Sequence, residues 1–181
     1  TSLVTAQIAL SMALLISAGL FIKSLRNVSR VDLGINVEHV ATFGVSPELN
    51  GYSSARSAVF FGRLDQELSG LPGVTGVTEA RVPLLAGDNW GNDVNVEGFP
   101  RGPDVDNNSR FNEVGANYFH VMGVPILAGR DFTTSDIAGA PMVAIANEAF
   151  ARKYHLGRAA DGKHMSTGGT DLDIKIVGLA K

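Results

Sequence analysis

The chain contains no cysteine, and only 18% of its 181 residues are Asp, Glu, Lys or Arg. Without cysteine, a disulfide scaffold, a Cys-containing zinc site, an iron–sulfur cluster and a thiol nucleophile are excluded. With 45% hydrophobic residues, the composition is too apolar for a disordered chain. The length allows one domain, or two small ones, with a real core. A net charge of −3 offers no general basic field, so nucleic acid is not an expected partner.

Catalytic patterns are missing too. The four histidines, His39, His120, His155 and His164, contain no i, i+4 pair, and there is no HExxH, GxSxG or GxxxxGK(S/T). Gly70, Gly73 and Gly76 follow a GxxGxxG spacing between a helix and a strand. A dinucleotide site needs strand, glycines and helix in that order, so these read as a helix stop and a turn. Asp104 and Asp106 lie in a Gly/Pro/Asn loop that could hold a cation weakly, but a solvated acidic loop is the plainer reading. Asp171 and Asp173 share the wet face of a strand, and the sequons at Asn27 and Asn107 matter only in a eukaryotic secretory route. No catalytic, cofactor-binding or metal-binding residue is nominated.

What is present is divided unevenly. Residues 1–30 carry Lys23, Arg26 and Arg30 and no acid, while the rest holds 12 basic against 18 acidic side chains, a net of −6. Leu3 to Ile22 runs for 20 residues without a charge. As an α-helix that is about 30 Å, the hydrocarbon thickness of a bilayer. Thr5, Gln7, Ser11 and Ser17 are its polar members, and Ala6, Ala9, Ala13, Ala18 and Gly19 would admit a neighbouring helix. We read it as a transmembrane helix. A signal peptide has a shorter apolar core after a basic n-region, and a buried core helix has a polar face over this length. The basic flank after the span favours a cytoplasmic C-terminal end, but that rule compares two flanks and here only one is in view. Leu25, Val28 and Val31 continue the helical period as a short stalk, with a stop at Asp32-Leu33-Gly34.

The remainder reads as α+β. Val40–Ser46 alternates, with Ala41, Phe43 and Val45 on one face, and predicts a strand. A turn at Asn50-Gly51 and a cap at Ser53 introduce a helix. Its apolar stripe is Phe60, Leu64 and Leu68, flanked by Val59 and Phe61, with Arg63, Asp65, Gln66 and Glu67 facing water. Leu71-Pro72-Gly73 ends it, and Val74–Val82 predicts a returning strand, which makes a βαβ-type unit. Further strands are predicted at Asp93–Glu97, Ser109–Val114, Val124–Leu127, Met142–Ala146 and Asp171–Gly178. Short helices are predicted at Ala116–Met122 and, capped by Asn147, Glu148–Tyr154. Leu156–Thr170 reads as a loop. The chain stops in an apolar strand, so a fragment of a longer protein is expected. Trp90, in the loop AGDNWGND, is either a partner contact or a plug for its own core.

Several stretches together resemble a known family. They are LLISAGLFIKSLRNVSRVDLGIN, HVATFGVSP, GYSSARSAVFFGRLDQELSGLPGV, RFNEVGANYFHVMGVPILAGRDFTTSD and VAIANEAFARKY. The chain resembles the first transmembrane helix and periplasmic core domain of MacB-like (FtsX-type) ABC transporter permeases, and most of all the duplicated orphan permeases common in acidobacteria. The most specific stretch runs from Asn117-Tyr118-Phe119 through Gly123-Val124-Pro125 to Gly129-Arg130-Asp131-Phe132. The resemblance implies a helix in the bacterial inner membrane and an extracytoplasmic domain after about residue 30. It implies a porter-like first lobe at 31–82 and a second, inserted lobe at 83–181. It also implies a non-catalytic subunit that passes motion from a separate cytoplasmic ATPase to a substrate outside the membrane. ATP would be bound by that ATPase and no cofactor by this chain. Expected partners are the ATPase, a second copy or pseudo-copy, membrane lipid and in some cases a membrane-fusion protein. Gly123, Pro125 and Gly129 would direct the chain, and Tyr118 and Phe119 would fill core. An anchored extracytoplasmic binding or signalling domain is the alternative, and a secreted enzyme is the reading with least support.

Overall fold

The computed structural model describes residues 2–28, 34–35, 38–83, 87 and 89–181. The chain divides into two compact units, Thr1–Leu33 and Gly34–Lys181. The first holds α1 (Ser2–Val28), a 27-residue helix with no buried residue. Its most apolar 18-residue window has a mean hydropathy of 2.0, long and apolar enough to cross a membrane. Leu3, Leu10, Leu14, Leu15, Ile16, Leu20 and Phe21 are all more than half exposed. The helix runs past Ile22 through Leu25 to Val28, as the period predicts. Val31, Asp32 and Leu33 lie outside the described residues, so the predicted stop is represented only by Gly34, at φ +69°.

The second unit is a mixed α/β domain. Its sheet contains β1 (Gly91–Val96), β2 (Asn108–Arg110), β3 (Ile126–Gly129), β4 (Val143–Asn147), β5 (His164–Thr167) and β6 (Ile174–Ala180). The order is β2-β1-β5-β6-β3, with β4 also paired to β6. All pairings are antiparallel except β4 with β6. β6 is the centre: β4 runs along one edge, while β5 and then β3 occupy the other. From Ile176 to Ala180 every residue is buried, which is why this strand reads as a continuous apolar run. Val94, Val96 and Ile176 are the largest fully buried side chains, each contributing about 1.5–3 kcal/mol by burial. Around them pack Tyr154, Met165, Ala146, Leu179 and Ala160.

Local signals place the helices. α2 (Ser54–Ser69) starts where the Ser53 hydroxyl accepts the Arg56 N–H at 3.4 Å. Gly51, at φ +75°, closes the 3₁₀ turn Pro47–Asn50 before it. α4 (Glu148–Lys153) starts where Asn147 Oδ1 accepts the Phe150 N–H at 2.8 Å. α3 (Tyr118–Val121) follows Asn117, which holds a left-handed φ of +57°.

Three expectations are corrected. Neither Val40–Ser46 nor Val74–Val82 forms a ladder among the described residues. Their one pairing is the bridge between Ala80 and Val114. The alternation of Ala41, Phe43 and Val45 is real, but Phe43 stands 64% exposed with no neighbouring strand among the described residues, and a strand is completed only by its partner. Leu156–Thr170 is not all loop. It contains a 3₁₀ turn at Gly157–Ala160 and β5, whose Met165 and Ser166 are both buried. On α2, Asp65 is half-buried rather than facing water, and Val59 is 65% exposed.

Candidate functional site

The stretch from Asn117 to Asp136 ties three elements together. Gly129 ends β3 at φ +74°, and a Cβ there would meet the Val177 carbonyl oxygen and stand 2.8 Å from the Gly178 Cα. Gly129 and Gly178 face each other across the β3–β6 ladder. Gly178 also takes the register shift against Ile145 of β4. The next residue, Arg130, donates its backbone N–H to the Val177 carbonyl at 2.9 Å. Its guanidinium clamps Asp136 with two bonds, Nη1 to Oδ2 at 2.6 Å and Nη2 to Oδ1 at 2.8 Å. Asp136 Oδ2 further accepts the Thr133 N–H at 2.8 Å and the Thr133 hydroxyl at 3.1 Å. Asp131 caps α3 by accepting the His120 N–H at 3.0 Å. Tyr118 is buried and Phe119 half-buried, with Phe119 tilted on Phe132 at 6.1 Å. This fastens β3, α3 and the following turn, and it exposes no acid, base or nucleophile in a reactive arrangement.

The Arg130 hydrogen bonds hold the Asp136 carboxyl well below the usual carboxylate range. Its side chain is 12% exposed. Asp136→Asn should therefore cost about 1.5–3 kcal/mol at neutral pH, the range for hydrogen bonds to a charged group. Because the folded pKa is depressed, the stabilisation is complete above the unfolded value and is lost as pH falls below about 4. Unfolding curves of wild type and Asp136→Asn should then begin to converge below about pH 4 and still differ at pH 2. A gap that stays constant in acid would remove the charge from the explanation.

Trp90 is half-buried, not a free loop side chain. Its ring lies 4.4 Å from Phe111, and the Arg81 guanidinium sits 4.5 Å above it. The Phe111 N–H donates to the Trp90 carbonyl at 2.9 Å. Arg81 also pairs with Glu113 at 3.0 Å. The segment beneath is pinned to 112–116. Glu79 and Glu113 carbonyls accept the Gly115 and Arg81 N–H groups, and the Asn112 amide bonds both the N–H and C=O of Val82 at 2.9 and 2.8 Å. Burial, and then the Asp65 carboxylate of α2, push the Glu79 carboxyl up. Trp90 thus presents one face of an Arg–Trp–Phe stack. Arg81, Phe111 and Asn112 were not nominated from sequence, since nothing local links positions so far apart in the chain.

The other singled-out residues stay apart. Among the described residues, no group of three or more His, Asp or Glu could hold a metal. His39 and His155 are exposed with positive φ, and His155 stacks on Phe99. His164 lies 3.6 Å from Glu97. Asp106 pairs with Lys153 at 2.9 Å and accepts the Asn108 N–H, which gives it a structural role. Asp171 and Asp173 are exposed. Gly70 caps α2, Gly73 turns at φ +88°, and Gly76 packs where a Cβ would lie 2.9 Å from Val121 Cγ2.

A family model described as MacB-like periplasmic core domain matches residues 1–181. No curated protein matches the chain. Among solved structures, the periplasmic region of MacB from Actinobacillus actinomycetemcomitans is similar at 17% identity. That match covers 64% of this chain and 48% of that one, with a TM-score of 0.47. The extracellular domain of the noncanonic ABC-type transporter YknZ from Gram-positive bacteria is similar at 21% identity, over 64% of this chain and 54% of that one, with a TM-score of 0.45. The chain thus spans about half the length of these solved regions.

Proposed function

Because the chain belongs to the MacB-like periplasmic core domain family, we propose that it is part of the permease subunit of an ABC-type transporter. One observation carries this reading: the family match runs over all 181 residues, from the apolar α1 through the α/β unit. In this proposal α1 sits in the bacterial inner membrane and the residues after about 30 lie outside the cytoplasm. A separate cytoplasmic ATPase binds ATP, and its motion reaches the outer domain through the membrane helices. The substrate is moved or extracted from the extracytoplasmic side. This chain supplies no catalytic group and no cofactor site.

Stiffness suits such a role. The Arg130–Asp136 clamp and the central β6, paired along both edges, suit a unit that has to move as a body. We assign 31–82 to a porter-like lobe and 83–181 to a second lobe inserted into it. The exposed Phe43, and the segments 40–46 and 74–82 that form no ladder among the described residues, suit a lobe that further strands complete. Trp90 is assigned to partner contact, with a membrane-fusion protein as one candidate. A homodimer or pseudo-dimer is the expected assembly, and the duplicated orphan permeases are the expected subgroup.

The test is purification of the intact membrane protein in mild detergent and reconstitution in lipid nanodiscs. An ABC ATPase is expected to copurify, and its ATP hydrolysis should rise several-fold over the ATPase alone. If no ATPase copurifies, or the rate is the same with and without the permease, the reading fails and the anchored binding or signalling domain replaces it.

A further inference from the structure

α1 changes character near its C-terminal end. The charge-free run closes at Ile22, and Lys23 and Arg26 follow on the same helix, both exposed. No acid precedes Asp32 in the sequence, and neither cation forms an ion pair among the described residues. At 3.6 residues per turn and 1.5 Å rise, the two stand about 60° apart around the helix axis and about 4.5 Å apart along it, close enough to share one ligand. Arg30 continues the spacing in the sequence, at i+7 from Lys23. The same line runs down the apolar span through Leu15, Met12 and Ile8, each more than half exposed. The small residues Ala6, Ala9, Ala13 and Ser17, a face that admits a neighbouring helix, lie about a third of a turn away. The bulky line is therefore the one that faces acyl chains. The basic pair stands directly over it, at the level where a 20-residue uncharged run leaves the hydrocarbon.

We propose that Lys23 and Arg26 hold the phosphate of an anionic phospholipid in the leaflet where α1 emerges, with its acyl chains along Leu15, Met12 and Ile8. Charge complementarity identifies the occupant. A phosphate accepts charge-assisted hydrogen bonds from an ammonium and a guanidinium together. A zwitterionic headgroup brings its own cation, which two uncompensated basic side chains repel, so a net negative headgroup is selected. A soluble anion has the charge but no chains for the apolar line beneath. Cations near a helix C-terminus are favourable in themselves. That effect is the same on every side of the helix, so it does not account for two cations on one line above the bulky face. In the topology proposed above this is the outer leaflet, and a bound anionic lipid offsets a basic flank on the side that the positive-inside rule disfavours. The inference rests on α1 as a membrane span and not on the ATPase.

The experiment is native mass spectrometry of the intact membrane protein in mild detergent, titrated with phosphatidylglycerol or with phosphatidylcholine of the same acyl chains. A basic side chain beside an anionic headgroup contributes on the order of fivefold in affinity, so phosphatidylglycerol should bind at least about tenfold tighter than phosphatidylcholine. Lys23→Gln with Arg26→Gln should remove that preference and leave phosphatidylcholine binding unchanged. Lys23→Arg with Arg26→Lys keeps both charges and should keep the preference. Exchanging neighbours, as K23S, S24K, R26N and N27R together, preserves composition and depth but turns the pair toward the small-residue face, and should not restore it. Equal affinity for the two lipids, a preference that survives in the Gln variant, or full recovery in the exchanged variant would each overturn the proposal. So would displacement of the lipid by millimolar glycerol phosphate, which would mean a site for a soluble anion. Carbonate extraction tests the span by itself, so a chain that stays in the membrane without this preference fails this inference alone.

Discussion

Gly129→Ala should destabilise the α/β unit by at least about 3 kcal/mol, more than any single side-chain truncation on its surface. Two costs add. A non-glycine residue at φ +74° pays roughly 1–2 kcal/mol for the left-handed backbone. The new methyl must also displace the Val177 carbonyl and the Gly178 Cα, both in the central strand β6. Neither is the end of a flexible side chain, so the neighbours cannot yield without breaking the β3–β6 ladder. Gly98→Ala is the matched control. Its φ is +81°, but a Cβ there has open space, so it should show only the backbone cost. Trp90 is the single tryptophan and packs on Phe111, so its fluorescence follows unfolding of the full chain in detergent. A melting point lowered by about 6–12 °C in Gly129→Ala is expected for 3 kcal/mol in a domain of this size. Equal shifts in the two variants would mean that the steric clash relaxes at no cost.

Arg at both Leu14 and Ile16 should remove residues 1–181, expressed by themselves, from the membrane. Both side chains are more than 60% exposed near the middle of α1. Each replacement trades a favourable insertion contribution for a charge at the bilayer centre, a change of about 3–4 kcal/mol, or about 6–8 kcal/mol for the pair. Wild type should resist alkaline carbonate extraction, and the double variant should appear in the soluble fraction or be degraded. Leu14→Ala with Ile16→Ala keeps the helix and should remain membrane-bound. If the double-Arg chain stays in the pellet as fully as wild type, α1 is not a bilayer span. The α/β unit offers a check on folding, because Trp90 fluorescence should be the same in both variants.

Much of this architecture is legible locally. α1 is visible because a 20-residue uncharged run has few other fates. α2 and α4 are visible at their starts because Ser53 and Asn147 are caps whose side chains do the same job wherever a helix begins. β1, β4 and most of β6 announce themselves by apolar alternation or by an apolar run. The GRDF stretch is visible as a pattern, but its consequence is not. That Gly129 lies against Val177 depends on a strand nearly 50 residues further on.

The misses share a cause. Val40–Ser46 has the alternation of a strand and no strand partner among the described residues, while His164–Thr167 has little strand signal and two partners, β1 and β6. Strand formation is settled by the neighbour that accepts the hydrogen bonds, and the neighbour is a property of the whole fold. Trp90 shows the same division. The sequence alone identifies a tryptophan in a polar loop, and only the fold supplies Arg81 above it and Phe111 beside it. Composition and local pattern determined the apolar anchor, the α+β class, the helix starts and the lack of catalytic motifs, since each follows from a residue and its near neighbours. The central place of β6, the glycine contact that secures it and the stack around Trp90 were decided by tertiary structure, because those contacts join residues that only the folded chain brings within reach.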